Sequence, residues 1–76
     1  MSKVIVFLAN GFEEIEGLTV VDLLRRADIN VETVSISDSL TVTGAHNISV
    51  SADTLIKDAS LSDADMAADN VVEAYI

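Results

Sequence analysis

Residues 3–36 read KVIVFLANGFEEIEGLTVVDLLRRADINVETVSI, and this stretch decides the fold. Val4 to Leu8 is an unbroken apolar run rich in branched residues, the pattern of a parallel strand buried on both faces. Gly11 permits a sharp turn at its end. From Ile15 the apolar residues fall at 15, 18, 20, 21, 23, 24 and 27, a broad helical stripe read as core and not as a cofactor box. Glu13, Glu14 and Glu16 crowd the first turn and Arg25 and Arg26 the last, each charge suiting its end of the helix dipole. Gly17 weakens the helix interior by roughly 1 kcal/mol relative to Ala, and invites a close neighbour. Asn30 to Ile36 mixes β-branched and polar residues, as a less buried strand does. The expectation is therefore an α/β unit: strands over Lys3–Ala9 and Asn30–Ile36, parallel, joined by a helix over Glu13–Ala27. In such folds chemistry gathers at the carboxyl ends of the strands, where the three acids lie.

Outward from this unit, Leu40–Thr43 and Ile48–Ser51 read as a hairpin around Gly44-Ala45-His46-Asn47. Asp69 or Asn70 could cap a short helix running to Ile76, with Val71, Val72 and Tyr75 on one face. Asp63, Asp65 and Asp69 lack the glycine and closing Glu of a calcium loop and read as a solvated acidic segment. Hydroxyl residues such as Ser35 and Ser37 have no His–acid arrangement around them.

The chain has 76 residues, half of them hydrophobic, and no cysteine. That length holds one small domain. A net charge of −9 repels phosphate backbones and anionic lipid, so neither nucleic acid nor membrane is an expected partner. Without cysteine there is no thiolate nucleophile, disulfide or thiolate metal site. Val4 to Ala9 is too short for the apolar core of a leader peptide, so a cytoplasmic location is expected. One glycine in the turn, followed by three carboxylates, argues against a phosphate cradle. For the three Glu residues the plain alternative to chemistry is helix-end stabilisation, about 0.3–1 kcal/mol each. For His46 it is a polar position on a hairpin.

The stretch LANGFEEIEGLTVVDLLRRADINVETVSI, continued by LTVTGAHNISVSADTLIKD, resembles the opening of the ThiJ/PfpI family, which includes the parkinsonism-associated deglycase. The carrying signature is glycine-x-Glu-Glu-x-Glu, then an apolar helix ending in Arg-Arg-Ala. The resemblance runs from about Lys3 to Met66 and covers the N-terminal part of the family's domain only. It implies a partial flavodoxin-like, class I glutamine amidotransferase-like parallel sheet. It implies that Glu16 matches an acid that supports a nucleophilic cysteine. It places Glu13, Glu14 and His46 at pocket or dimer contacts. No cofactor and no metal are expected. The family's cysteine elbow and oxyanion glycines lie beyond the matching stretch. Asp28 stands where a glycine often ends the helix.

Residues 1–76 are thus expected to be a single incomplete α/β domain: a family unit over 1–66 and a helical tail over 67–76. The strand that should follow SLSDADM is replaced by AADNVVEAYI, which predicts an unpaired edge on the first strand and a bare second face. Either a weak fold or a homo-oligomer follows. Three functional readings stand side by side. One is a truncated, inactive relative of cysteine-dependent glyoxalases, deglycases or amidases. Another is a chaperone-like or dimerisation module. The third is an unrelated small flavodoxin-like or receiver-like domain, the receiver disfavoured because Ala9 and Asn10 occupy the place of its acids.

Overall fold

The computed structural model describes residues 3–59 and 66–67. Its elements run β1 (Lys3–Leu8), α1 (Glu14–Arg26), β2 (Asn30–Ser35), β3 (Thr41–Thr43), β4 (Ser49–Ser51), β5 (Thr54–Leu55), a 3₁₀ turn at Ile56–Asp58, and β6 (Met66–Ala67). β1 and β2 pair in parallel from Lys3 opposite Asn30 to Leu8 opposite Ser35. The parallel sheet has the order β5-β2-β1-β6, and β3 and β4 form a separate antiparallel hairpin. The strand–helix–strand reading and the hairpin are therefore both present, each element within a residue or so of its expected bounds.

β1 supplies the middle of the core. Val4, Val6 and Leu8 pack with Phe12, Val21 of the helix, Val31, and Val42 and Ala52 of the hairpin side. Successive side chains of a strand point to opposite faces, so Ile5 belongs to the other face, and it too is fully buried. The bare second face expected from the sequence is thus covered at Ile5. The expected open edge is also partly closed. Met66 and Ala67 pair in parallel with Val4 and Ile5. Ala67 is accordingly a strand residue, whereas the helix expected over Asp69–Ile76 and the acidic segment at 63–65 lie outside the described residues.

Two details of burial differ from the sequence reading. β2 is more buried than its polar content implied: Val31, Thr33, Val34 and Ser35 are all inside. Its buried hydroxyls are both bonded, Ser35 Oγ donating to the Ser39 carbonyl at 2.7 Å and Thr33 Oγ1 accepting from the Asp53 amide at 2.9 Å. The inward stripe of α1 is also narrower than the run of apolar residues. It consists of Glu14, Gly17 and Val21, buried, with Leu18 and Leu24 half-buried. Ile15, at 75% exposure, and Leu23, at 59%, face out.

The ends of α1 are well defined. The Glu13 carboxylate caps the start by accepting from the Ile15 amide at 3.2 Å. At the other end the Ile29 amide donates to Leu24 O at 3.0 Å and the Asp28 amide to Arg25 O at 3.1 Å. This paired pattern requires a left-handed residue between them, and Asp28 holds it with φ 61°. Asp tolerates that region less well than glycine. Asp28→Gly is therefore expected to stabilise the fold by about 0.5–1 kcal/mol, read as a higher urea midpoint at unchanged slope; a lower midpoint would show that the Asp28 side chain contributes something glycine cannot.

Candidate functional site

The turn after β1 and the hairpin are stitched together by backbone. Gly11, at φ 90°, turns the chain after the strand. The Gly11 amide donates to Thr43 O and the Ala45 amide to Phe12 O, both at 2.8 Å. Asn10 adds its side-chain oxygen, which accepts from the Thr43 amide at 2.9 Å. Phe12, fully buried, anchors the start of the helix beneath them. As a result the first turn of α1 faces the tip of the hairpin, and residues far apart in sequence converge.

Glu14 is the centre of that convergence. It is only 5% exposed. Its Oε2 accepts from the His46 amide at 2.7 Å and the Ile48 amide at 3.3 Å. Its Oε1 meets His46 Nδ1 at 2.9 Å. Glu13 Oε2 stands 3.7 Å from the same nitrogen. Gly44 makes room for this arrangement. A Cβ built there would collide with the Glu14 carboxyl carbon and Oε2 and stand 2.7 Å from its Cγ. Burial works to raise the Glu14 pKa, but the His46 ring, its own amide and the His46 and Ile48 amides outweigh it, lowering it from 4.5 to about 2. The His46 pKa is raised above 6.5, chiefly by the Glu14 hydrogen bond and then by the charges of Glu13 and Glu14. The two groups therefore form an ion pair with one member inside and one, His46 at 67% side-chain exposure, outside.

Around it lies a shallow depression of about 200 Å³ lined by Glu13, Glu14, Ile15, His46 and Ile48. Ile15 and Ile48, the latter 51% exposed, give it an apolar rim.

Of the residues singled out from sequence, the fold brings together Glu13, Glu14 and His46. It does not bring Glu16 to them. Glu16 is exposed in the first turn of α1. Sequence reasoning missed two partners. Gly44 carried a signal, a glycine at the end of a strand where the hairpin turn does not itself need one. Asp53 did not: its Oδ2 accepts from Arg25 Nη2 at 2.8 Å and from the Thr33 amide at 2.9 Å, tying the end of α1 to β2.

A parallel sheet with a helix crossing between β1 and β2, an acid-rich first helical turn and a hairpin folded over it define a partial flavodoxin-like α/β unit. The chain belongs to the DJ-1/PfpI family, which it matches over residues 2–68. It is 31% identical over 64 residues to protein DJ-1 homolog B of Arabidopsis thaliana, covering 84% of this chain and 15% of that protein. Its fold is similar to a cysteine-to-alanine mutant of a DJ-1 superfamily protein from Salmonella typhimurium, at 44% identity and a TM-score of 0.72, over 75% of this chain and 31% of that one. It is also similar to oxidized DJ-1 of Toxoplasma gondii, at 38% identity and a TM-score of 0.73, over 75% and 31% of the two chains. The chain thus spans about a third of the solved relatives it resembles. Among the described residues no helix is long and apolar enough to cross a membrane.

Proposed function

We propose that these 76 residues act as a non-catalytic unit of the DJ-1/PfpI fold that works by associating with further copies of itself. The observation that carries this reading is the use to which the acids are put. Glu13 caps the helix and Glu14 is consumed in holding helix and hairpin together. That leaves Glu16, the acid matched to cysteine support, in a chain whose sequence has no cysteine to support. A carboxylate without a positioned partner is a poor nucleophile toward aldehydes. The exposed Ile15 and Ile48 beside the Glu14–His46 pair favour association over that face.

One preparation tests both halves. Sedimentation equilibrium is expected to show a dimer or larger species, favoured at high salt where the charge of −9 is screened. Methylglyoxal consumption is expected to equal the buffer rate. A strictly monomeric species at all salts would remove the association, and turnover lost on Glu16→Ala would remove the non-catalytic reading.

A further inference from the structure

We propose that Glu13, Glu14 and His46 form a binding site for a divalent transition-metal cation of the zinc type. Each carboxylate has one oxygen fixed by backbone and the other turned toward one ring nitrogen. Glu14 Oε2 is held by the His46 and Ile48 amides, and Glu13 Oε1 by the Ile15 amide. Glu14 Oε1 and Glu13 Oε2 then stand 2.9 and 3.7 Å from His46 Nδ1. Donors bonded to a tetrahedral zinc ion at about 2.0–2.1 Å sit roughly 3.3 Å apart. The two separations bracket that value, and all three donor atoms lie within 4.8 Å of one another. Small side-chain shifts bring them onto one ion, which takes the place of the proton between Nδ1 and Glu14 Oε1.

The chemistry of the set favours this class of ion. Two carboxylates and a neutral imidazole balance a charge of +2. One nitrogen among the donors discriminates for zinc-like metals over magnesium and calcium, which want oxygen only. The backbone amides on Oε2 of Glu14 and Oε1 of Glu13 play the part of outer partners that orient ligands before the metal arrives. His46 is exposed over the depression, so the ion has an entry path and keeps outer positions for water. The net charge of −9 raises the local cation concentration.

The test is calorimetric titration of the tag-free chain with Zn²⁺, and with Mg²⁺ for comparison. His46→Arg keeps a cation against Glu14 but has no lone pair to offer a metal. Glu13→Gln keeps an oxygen for the Ile15 amide but loses the charge. One Zn²⁺ per chain is expected, bound about 10–100-fold more weakly in either variant, with Mg²⁺ weaker still in the wild type. Equal Zn²⁺ affinity in wild type and His46→Arg, or Mg²⁺ binding as tight as Zn²⁺, overturns the site. Because His46 is the single histidine, its ring resonances give a readout independent of how the variants fold. They are expected to move and saturate at one equivalent of Zn²⁺; a ring unmoved at saturation overturns the proposal by itself.

Discussion

Gly44→Ala is expected to destabilise the fold by about 1–3 kcal/mol, the cost of forcing volume into a packed site. Backbone strain does not enter, because Gly44 is not among the left-handed residues. The effect is steric and has one target. The new methyl group would meet three atoms of the Glu14 side chain. Those atoms have little room to retreat, since the carboxylate is held by two amides and an imidazole. Either the hairpin tip lifts or the carboxylate leaves, and both strand buried donors. In a domain of this size each kcal/mol moves the melting temperature by roughly 4–8 °C. Urea melts of wild type, Gly44→Ala, Glu14→Ala and the double variant decide the mechanism. Glu14→Ala alone is expected to lower the midpoint more than Glu13→Ala and Glu16→Ala together. In its background the cost of Gly44→Ala should nearly vanish. An undiminished cost there would place the crowding somewhere other than at Glu14.

The second large expectation concerns pH. The folded Glu14 pKa lies at about 2, below its ordinary 4.5. Its contribution to stability is therefore present above about 4.5 and is lost as pH falls from there toward 2. The folded His46 pKa lies above 6.5. Its contribution is complete below 6.5 and is lost as pH rises through the folded value. Both contributions are complete only between about 4.5 and 6.5, and the chain should be most stable there. Thr33, Asp53 and Arg25 form a separate tie at the opposite end of the helix. Denaturant midpoints from pH 2 to 9, in a buffer containing a chelator, are the measurement. His46→Arg should abolish the alkaline decline and keep the acid one. An alkaline decline identical in both proteins would assign it to general charge repulsion and not to His46.

The main frame of the fold was legible because it is written in local patterns. The apolar run of β1, the turn at Gly11, the charge order along α1 and the alternation of the hairpin each depend on neighbours a few residues apart. The site was legible only in its membership. Glu13, Glu14 and Glu16 look alike in a string, and nothing local says which one turns inward. That is decided by helix phase. The buried stripe runs through Glu14, Gly17 and Val21, so a charged residue and a glycine take places where hydrophobicity alone would put Ile15. The error about Ile15 and the missed burial of Glu14 are one error, since a helix that buries the second must expose the first.

β2 misled for a related reason. Its Ser and Thr count as polar in a pattern, yet their hydroxyls find partners, Ser35 in the Ser39 carbonyl and Thr33 in the Asp53 amide, and can be buried at small cost. β6 was illegible for a different one. Two residues after a polar run carry no periodicity, and their pairing partners lie at the opposite end of the chain.

That last pairing has a consequence for the order of assembly. Lys3–Leu8 finds Asn30–Ser35 across a single helix, and the hairpin closes over a short turn. Both are expected to form early, because short connections cost little entropy to close. Val4 and Ile5 meet Met66 and Ala67 across the longest sequence separation of any pairing among the described strands. On a nascent chain this strand is the last of the described ones to emerge, after the helix, hairpin and other described strands have had time to form. Until it arrives, one side of the central strand stands open as a template, and whichever segment reaches it first, from this chain or another, decides whether the sheet is finished alone or shared.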